Sequence, residues 1–245
     1  MEGTNKVVKI FCFSKSAFAK FLVACREGNY RRVYQLKARG RDLNQADAEG
    51  ITGLMEASSR HLHIVKYLVD EGAIVNLETH YGVTALIIAS LNGNLDISRF
   101  LCERGANVHA ATNDGATALM AASGRGHLDV SMFLCKMGAN VNAAKNDGAT
   151  ILIIASGEGH LAIVQYLHEQ GADLIARDQD GDTALLYAIK ANHIAVAAYL
   201  KEACIKELAA YHIRLRSKEH QHQLYSKCLP ARLEETKQMI GSFFL

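Results

Sequence analysis

The sequence predicts a mainly α-helical solenoid, a stack of helix-turn-helix units joined by short hairpin loops. Three observations predict it. Gly82-Val83-Thr84-Ala85-Leu86 returns every 33 residues, as Gly115-Ala116-Thr117-Ala118-Leu119, Gly148-Ala149-Thr150-Ile151-Leu152 and Gly181-Asp182-Thr183-Ala184-Leu185. A second ladder, Gly72-Ala73, Gly105-Ala106, Gly138-Ala139 and Gly171-Ala172, runs in step with it. Seventeen of the 19 glycines lie between Gly28 and Gly181, at or near the repeat turns, while the single proline, Pro230, lies beyond them. Stacks of this kind act by presenting a long surface.

The elements follow in order. Residues 1–16 form an N-terminal segment. In the first unit, 17–47, Phe21 to Cys25 stand for the first helix and Gly28-Asn29-Tyr30 for the turn. Arg31–Ala38 make the second helix and Gly40 its cap. The unit from Gly50 to Gly82 is one residue short, and the loss falls in the inter-helix turn Ser59-Arg60-His61, where a deletion costs least. Unit 113–145 shows the full pattern. Asn113-Asp114-Gly115 is a turn; Thr117 is a helix N-cap; a thin, Ala-rich helix covers about 118–124; Gly124-Arg125-Gly126-His127 breaks it; a second helix covers about 128–137; and Gly138 ends that helix in a left-handed cap.

One such unit cannot bury its apolar face alone. Leu54, Leu86, Leu119, Leu152 and Leu185 fill one slot, and Leu36, Leu68, Leu101, Leu134, Leu167 and Leu200 another, so neighbours close on each other. The array of about six units spans 17–203. Beyond it, Leu200, Cys204, Leu208, Tyr211 and Leu215 keep a helical spacing, which predicts a longer capping helix and a tail over 204–245.

Composition excludes several classes. The net charge of +2 gives no case for nucleic acid or an anionic membrane, and no apolar run is long enough to span a bilayer. The opening MEGTNKVVKIFCF is not a signal peptide. Six cysteines without a CxxC pair argue against a zinc knuckle or redox motif and for a reduced, cytoplasmic setting. No HExxH, GxSxG, P-loop or dinucleotide fingerprint is present. His220-x-His222 lacks a third ligand, and Cys25 and Cys228 lack a positioned base, so no enzyme activity, metal or cofactor is expected.

On these residues the chain resembles the ankyrin repeat family. Gly126-His127, Gly159-His160 and Gly138-Ala139-Asn140-Val141-Asn142 match its turn and closing marks. The family's opening Pro is here Ala, Ile or Gly, and its His is Met, Ile or Leu. Because that His tethers neighbouring loops, the resemblance implies weaker loop-to-loop hydrogen bonding, offset by apolar burial. His127, His160 and His193 sit where the repeat uses His structurally. The resemblance implies a non-catalytic, monomeric adaptor or scaffold binding another protein on its concave face.

Projected onto that face, the candidate partner-binding residues are Arg60, His80, Tyr81, Val83, Leu91, Asn92, Asn113, Asp114, Arg125, Asp147, Glu158 and Asp180. Glu49, Asp114, Asp147 and Asp180 make an acidic column that doubles as turn chemistry, and Tyr81 interrupts it. The patch of His80, Tyr81, Val83 and Leu91, flanked by Arg60 and Arg125, is read as the energetic centre. Tyr67, Phe100, Phe133, Tyr166 and Tyr199 form a second column, read as packing between successive helices. The ending Phe243-Phe244-Leu245 resembles PDZ-domain ligands, and Glu234-Glu235 before an apolar terminus resembles type IV secretion signals. Two alternatives follow: an exported bacterial effector engaging host proteins, or a targeting array for an activity or docking helix in the tail.

Overall fold

The computed structural model describes residues 17–218, with side chains through residue 210. Features assigned to 1–16 and 219–245, among them Cys12, His220, His222, Cys228 and the terminal Phe243-Phe244-Leu245, lie outside the described residues. Among those described, twelve helices run in six antiparallel pairs. They are α1 (Ala17–Arg26), α2 (Tyr30–Lys37), α3 (Gly53–Ser58), α4 (Leu62–Asp70), α5 (Ala85–Leu91) and α6 (Leu95–Glu103), followed by α7 (Ala118–Gly124), α8 (Leu128–Lys136), α9 (Ile151–Gly157), α10 (Leu161–Glu169), α11 (Ala184–Lys190) and α12 (Ile194–Lys218). The chain divides at Thr112 into two compact units, each a stack of three pairs.

Every first helix from α3 onward starts the same way. Thr52, Thr84, Thr117, Thr150 and Thr183 hold extended backbone, and each hydroxyl oxygen accepts the backbone N–H three residues on. Gly138 ends α8 at φ 89°, as its sequence position requires. The short unit shows its deletion directly: α3 has six residues where α5 has seven, and its inter-helix turn uses no positive-φ residue, whereas Gly93, Gly126 and Gly159 serve elsewhere. Asn192 (φ 60°) takes that glycine's place in the last turn, a conformation asparagine tolerates.

In unit 1, α1, α3 and α5 stack in one row and α2, α4 and α6 in another. Leu36, Leu54, Leu68, Leu86 and Leu101 are all buried there. Phe21 is fully enclosed and presses on Gly53, where an added Cβ would lie 2.4 Å from its ring. This close approach explains one departure from the usual proline at the helix start. Unit 2 repeats the arrangement with α7, α9 and α11 against α8, α10 and α12, over buried Leu119, Leu134, Leu152, Leu167, Leu185 and Leu200.

Inter-helix histidines tie successive pairs. The His61 ring lies 2.9 Å from the Arg26 carbonyl in unit 1; in unit 2, His160 reaches the Gly124 carbonyl at 3.3 Å and His193 the Gly157 carbonyl at 2.9 Å. Three residues of the aromatic column pack between second helices as the sequence suggested: Tyr67 meets Tyr30 and Tyr34 of α2, Phe100 lies under Lys66 of α4 at 5.8 Å, and Tyr199 shares a hydrogen bond of 2.8 Å with His168 of α10.

Candidate functional site

The hairpin tips and the first helices carry the candidate surface. In unit 1, antiparallel bridges Ala46–Thr52 and Glu78–Thr84 close two hairpins, and unit 2 closes two more at Ala144–Thr150 and Arg177–Thr183. The tips touch through backbone. His80 N–H donates to the Glu49 carbonyl at 3.1 Å, Asn146 N–H to Asp114 at 2.9 Å and Gln179 N–H to Asp147 at 2.9 Å. Asn146 and Gln179 add side-chain donors at 2.9 and 2.7 Å. Main-chain and amide side-chain bonds thus link successive tips within each unit. The apolar replacements Met55, Ile87, Met120 and Ile153 are buried, as expected. Tip glycines make this contact possible: an added Cβ at Gly50 would lie 2.8 Å from the Thr79 backbone, and one at Gly148 would lie 2.9 Å from that of Asp178.

Within unit 1 the tips frame a groove of about 250 Å³. Met55 and Ile88 contribute from α3 and α5, Ile51 and Val83 from the hairpin arms, and Tyr81 from the tip. The Thr79 hydroxyl accepts both Tyr81 N–H (3.2 Å) and Val83 N–H (3.0 Å), so the loop is fixed while the Tyr81 side chain stays 66% exposed. Glu49 and Glu56 line the same groove, and Arg26 clamps Glu56 at 2.8 Å. Of the sequence-derived patch, Tyr81 and Val83 line the groove. Arg60, His80, Leu91 and Asn92 are exposed but do not line it; Asn92 caps α5 and donates to the Ile88 carbonyl at 2.8 Å. The sequence reading missed Met55 and Ile88. Both sit on first helices of neighbouring pairs, and only laying the two repeats side by side would place them opposite one another.

Unit 2 presents a different tip. Lys145 Nζ pairs with Asp114 at 2.8 Å, and the Asp147 carboxylate accepts the Ala149 N–H at 3.0 Å. Asp180 is exposed, and its N–H donates to Asp178 at 3.1 Å. Asp178 also accepts the Tyr187 hydroxyl at 2.7 Å. Partial burial pushes the Asp178 carboxyl up, but the hydrogen bonds from Tyr187, Asp182 and Asp180 outweigh it and hold the group below the usual carboxylate range. Asn113 is exposed and its carbonyl accepts from Asn146; Arg125 and Glu158 are exposed C-caps of α7 and α9.

The four cysteines of the described residues are held as neutral thiols. Burial, with Glu56 adding to it, pushes the Cys25 thiol up to about 12. Burial likewise pushes Cys102, Cys135 and Cys204 up to about 11. Thiols held so far above neutrality are poor nucleophiles. Among the described residues, no group of three or more His, Cys, Asp or Glu could hold a metal ion, and no helix is long and apolar enough to cross a membrane.

A family model for ankyrin repeats matches the chain in three copies, over residues 21–112, 104–178 and 145–211. Among solved structures 611 chains match, so the architecture alone does not select a partner. One of them is a complex of the predatory endopeptidase Bd0816 from Bdellovibrio bacteriovorus with immunity protein Bd3460. That match has a TM-score of 0.67 and 31% identity, covering 75% of this chain and 97% of the matched one. A comparison with curated proteins finds no match.

Proposed function

The chain belongs to the ankyrin repeat family, and from that premise we propose that it is a non-catalytic, cytoplasmic module that binds a partner protein on the tip side of its helix pairs. The groove of unit 1 carries this reading. A preformed apolar cleft with an exposed tyrosine at its edge suits the side-chain anchor of another protein, because little has to be ordered on binding. The similarity to a structure in which an immunity protein is complexed with an endopeptidase supports an enzyme of that class as the partner.

The test is affinity capture from the source cell with wild type and Tyr81→Ala side by side, followed by identification of the bound protein. The reading expects a peptidase on the wild type and binding weakened about tenfold or more in the variant. Equal capture by a correctly folded variant contradicts it.

A further inference from the structure

The charge of this chain is distributed unevenly. Residues 17–41 hold seven basic side chains, Lys20, Arg26, Arg31, Arg32, Lys37, Arg39 and Arg41, against the single carboxylate of Glu27. That is a local charge of +6. The whole chain has 27 basic and 25 acidic residues, so everything outside this segment sums to −4. The near-neutral total conceals a strongly basic end.

Arg31, Arg32 and Lys37 lie on α2, and Arg39 and Arg41 follow its C-cap, Ala38. The helix buries only Val33 and Leu36 and leaves most of its other side chains at the surface. Arg26 is neutralised by Glu56 and Lys37 by Glu71. Arg31, Arg32 and Arg39 are exposed, and none has an ion pair among the described residues. Arg32 occupies a slot that every other second helix fills with Ile64, Ile97, Val130, Ile163 or Val196, all buried. Solvation of an outer helix face would be met there by any mixture of charges. Three exposed arginines without carboxylate partners among the described residues, Arg31, Arg32 and Arg39, exceed that need and repel one another.

Aromatic side chains accompany the charge. Tyr30 and Tyr34 are 42% and 54% exposed, and both rings lean on Tyr67 of α4, with centroids 5.2 and 6.0 Å away. Tyr34 stands at the position held by Lys66, Arg99, Met132, Gln165 and Ala198 in the other pairs. Tyrosine beside arginine is the composition of interface anchors.

We propose that the outer face of α2 is a second docking surface, separate from the tip-side groove, for an acidic segment of a partner protein. Two turns of helix span about 12 Å, the length of about four extended residues, so the footprint fits a short run of carboxylates. It is too short to track a nucleic-acid strand. The aliphatic residues of α2, Val33 and Leu36, are buried in the stack, which leaves no aliphatic face to insert into a membrane.

The probe is a short dye-labelled peptide of alternating glutamate and tyrosine, read by fluorescence anisotropy on the full chain. Arg31→Glu with Arg39→Glu is compared with the same charge change on unit 2, Lys136→Glu with Lys206→Glu. The first pair should weaken binding about tenfold or more and the second less than about twofold. Tyr34→Ser should weaken it by a smaller factor, and added salt should weaken it throughout. Thermal melts check folding, and Arg31→Gln with Arg39→Gln replaces the first pair if it unfolds. Four results overturn the proposal: no binding of the peptide, equal losses from both pairs, tighter binding of an oligothymidylate of equal charge, or tighter binding of phosphatidylserine vesicles.

Discussion

Tyr81 and Asp147 stand at equivalent hairpin tips, each just before the turn glycine, on the same backbone. In unit 1 the loop is closed by Thr79, which accepts both tip N–H groups, so the residue at the tip has no closing duty and Tyr81 projects beside an apolar groove. At the Asp147 tip of unit 2 the position equivalent to Thr79 is Lys145, whose side chain has no acceptor. There Asp147 itself closes the loop by accepting the Ala149 N–H, and Lys145 turns to Asp114. One residue inside a hairpin thus decides whether its tip is free for a partner or committed to the fold.

The shared core gives the largest effect. Leu68→Ala in unit 1 and Leu167→Ala in unit 2 each remove a fully buried side chain and should cost about 2–5 kcal/mol in chemical denaturation. A much smaller cost in either unit would break the claim of one repeated core.

Gly53→Ala comes next. The added methyl meets the Phe21 ring, and overpacking of this kind costs about 1–3 kcal/mol. Ala85, at the same slot in the next pair, already carries that methyl, so the penalty belongs to the contact of α1 with α3. Chemical denaturation of the variant checks it.

Unit 2 has its own signature at high pH. The Tyr187 phenol is pushed up to about 12, first by the hydrogen bond it donates to Asp178, then by burial and the nearby Asp178, Asp182 and Asp180 charges. An unfolded tyrosine titrates near pH 10. The stability this bond contributes is therefore complete below about pH 10 and drains away as pH rises towards 12. Tyr187→Phe should flatten that part of the stability–pH curve; an unchanged slope would contradict the assignment. The smallest effect is Lys145→Ala, which breaks a pair at the surface and should cost under about 1 kcal/mol in a thermal melt.

Much of this was legible beforehand. The 33-residue period placed the helices, the threonine caps and the left-handed glycines, because each unit repeats the same local chemistry. The bonds between tips were harder to read, since main-chain N–H groups make them and leave no mark in side-chain identity. The groove was half visible. Tyr81 and Val83 are surface residues of one repeat, while Met55 and Ile88 approach from helices of two successive pairs. The basic face of α2 was hidden by a whole-chain charge sum, although Arg32 in a column of Ile and Val was there to be seen.

The most direct test of the central claim is the affinity of the captured partner for Tyr81→Ala set against Asp147→Asn with Asp180→Asn, measured on purified proteins. The account expects about tenfold or greater weakening for Tyr81→Ala and less than about twofold for the unit 2 pair. Strong loss from the unit 2 pair, with Tyr81→Ala binding like wild type, would contradict it.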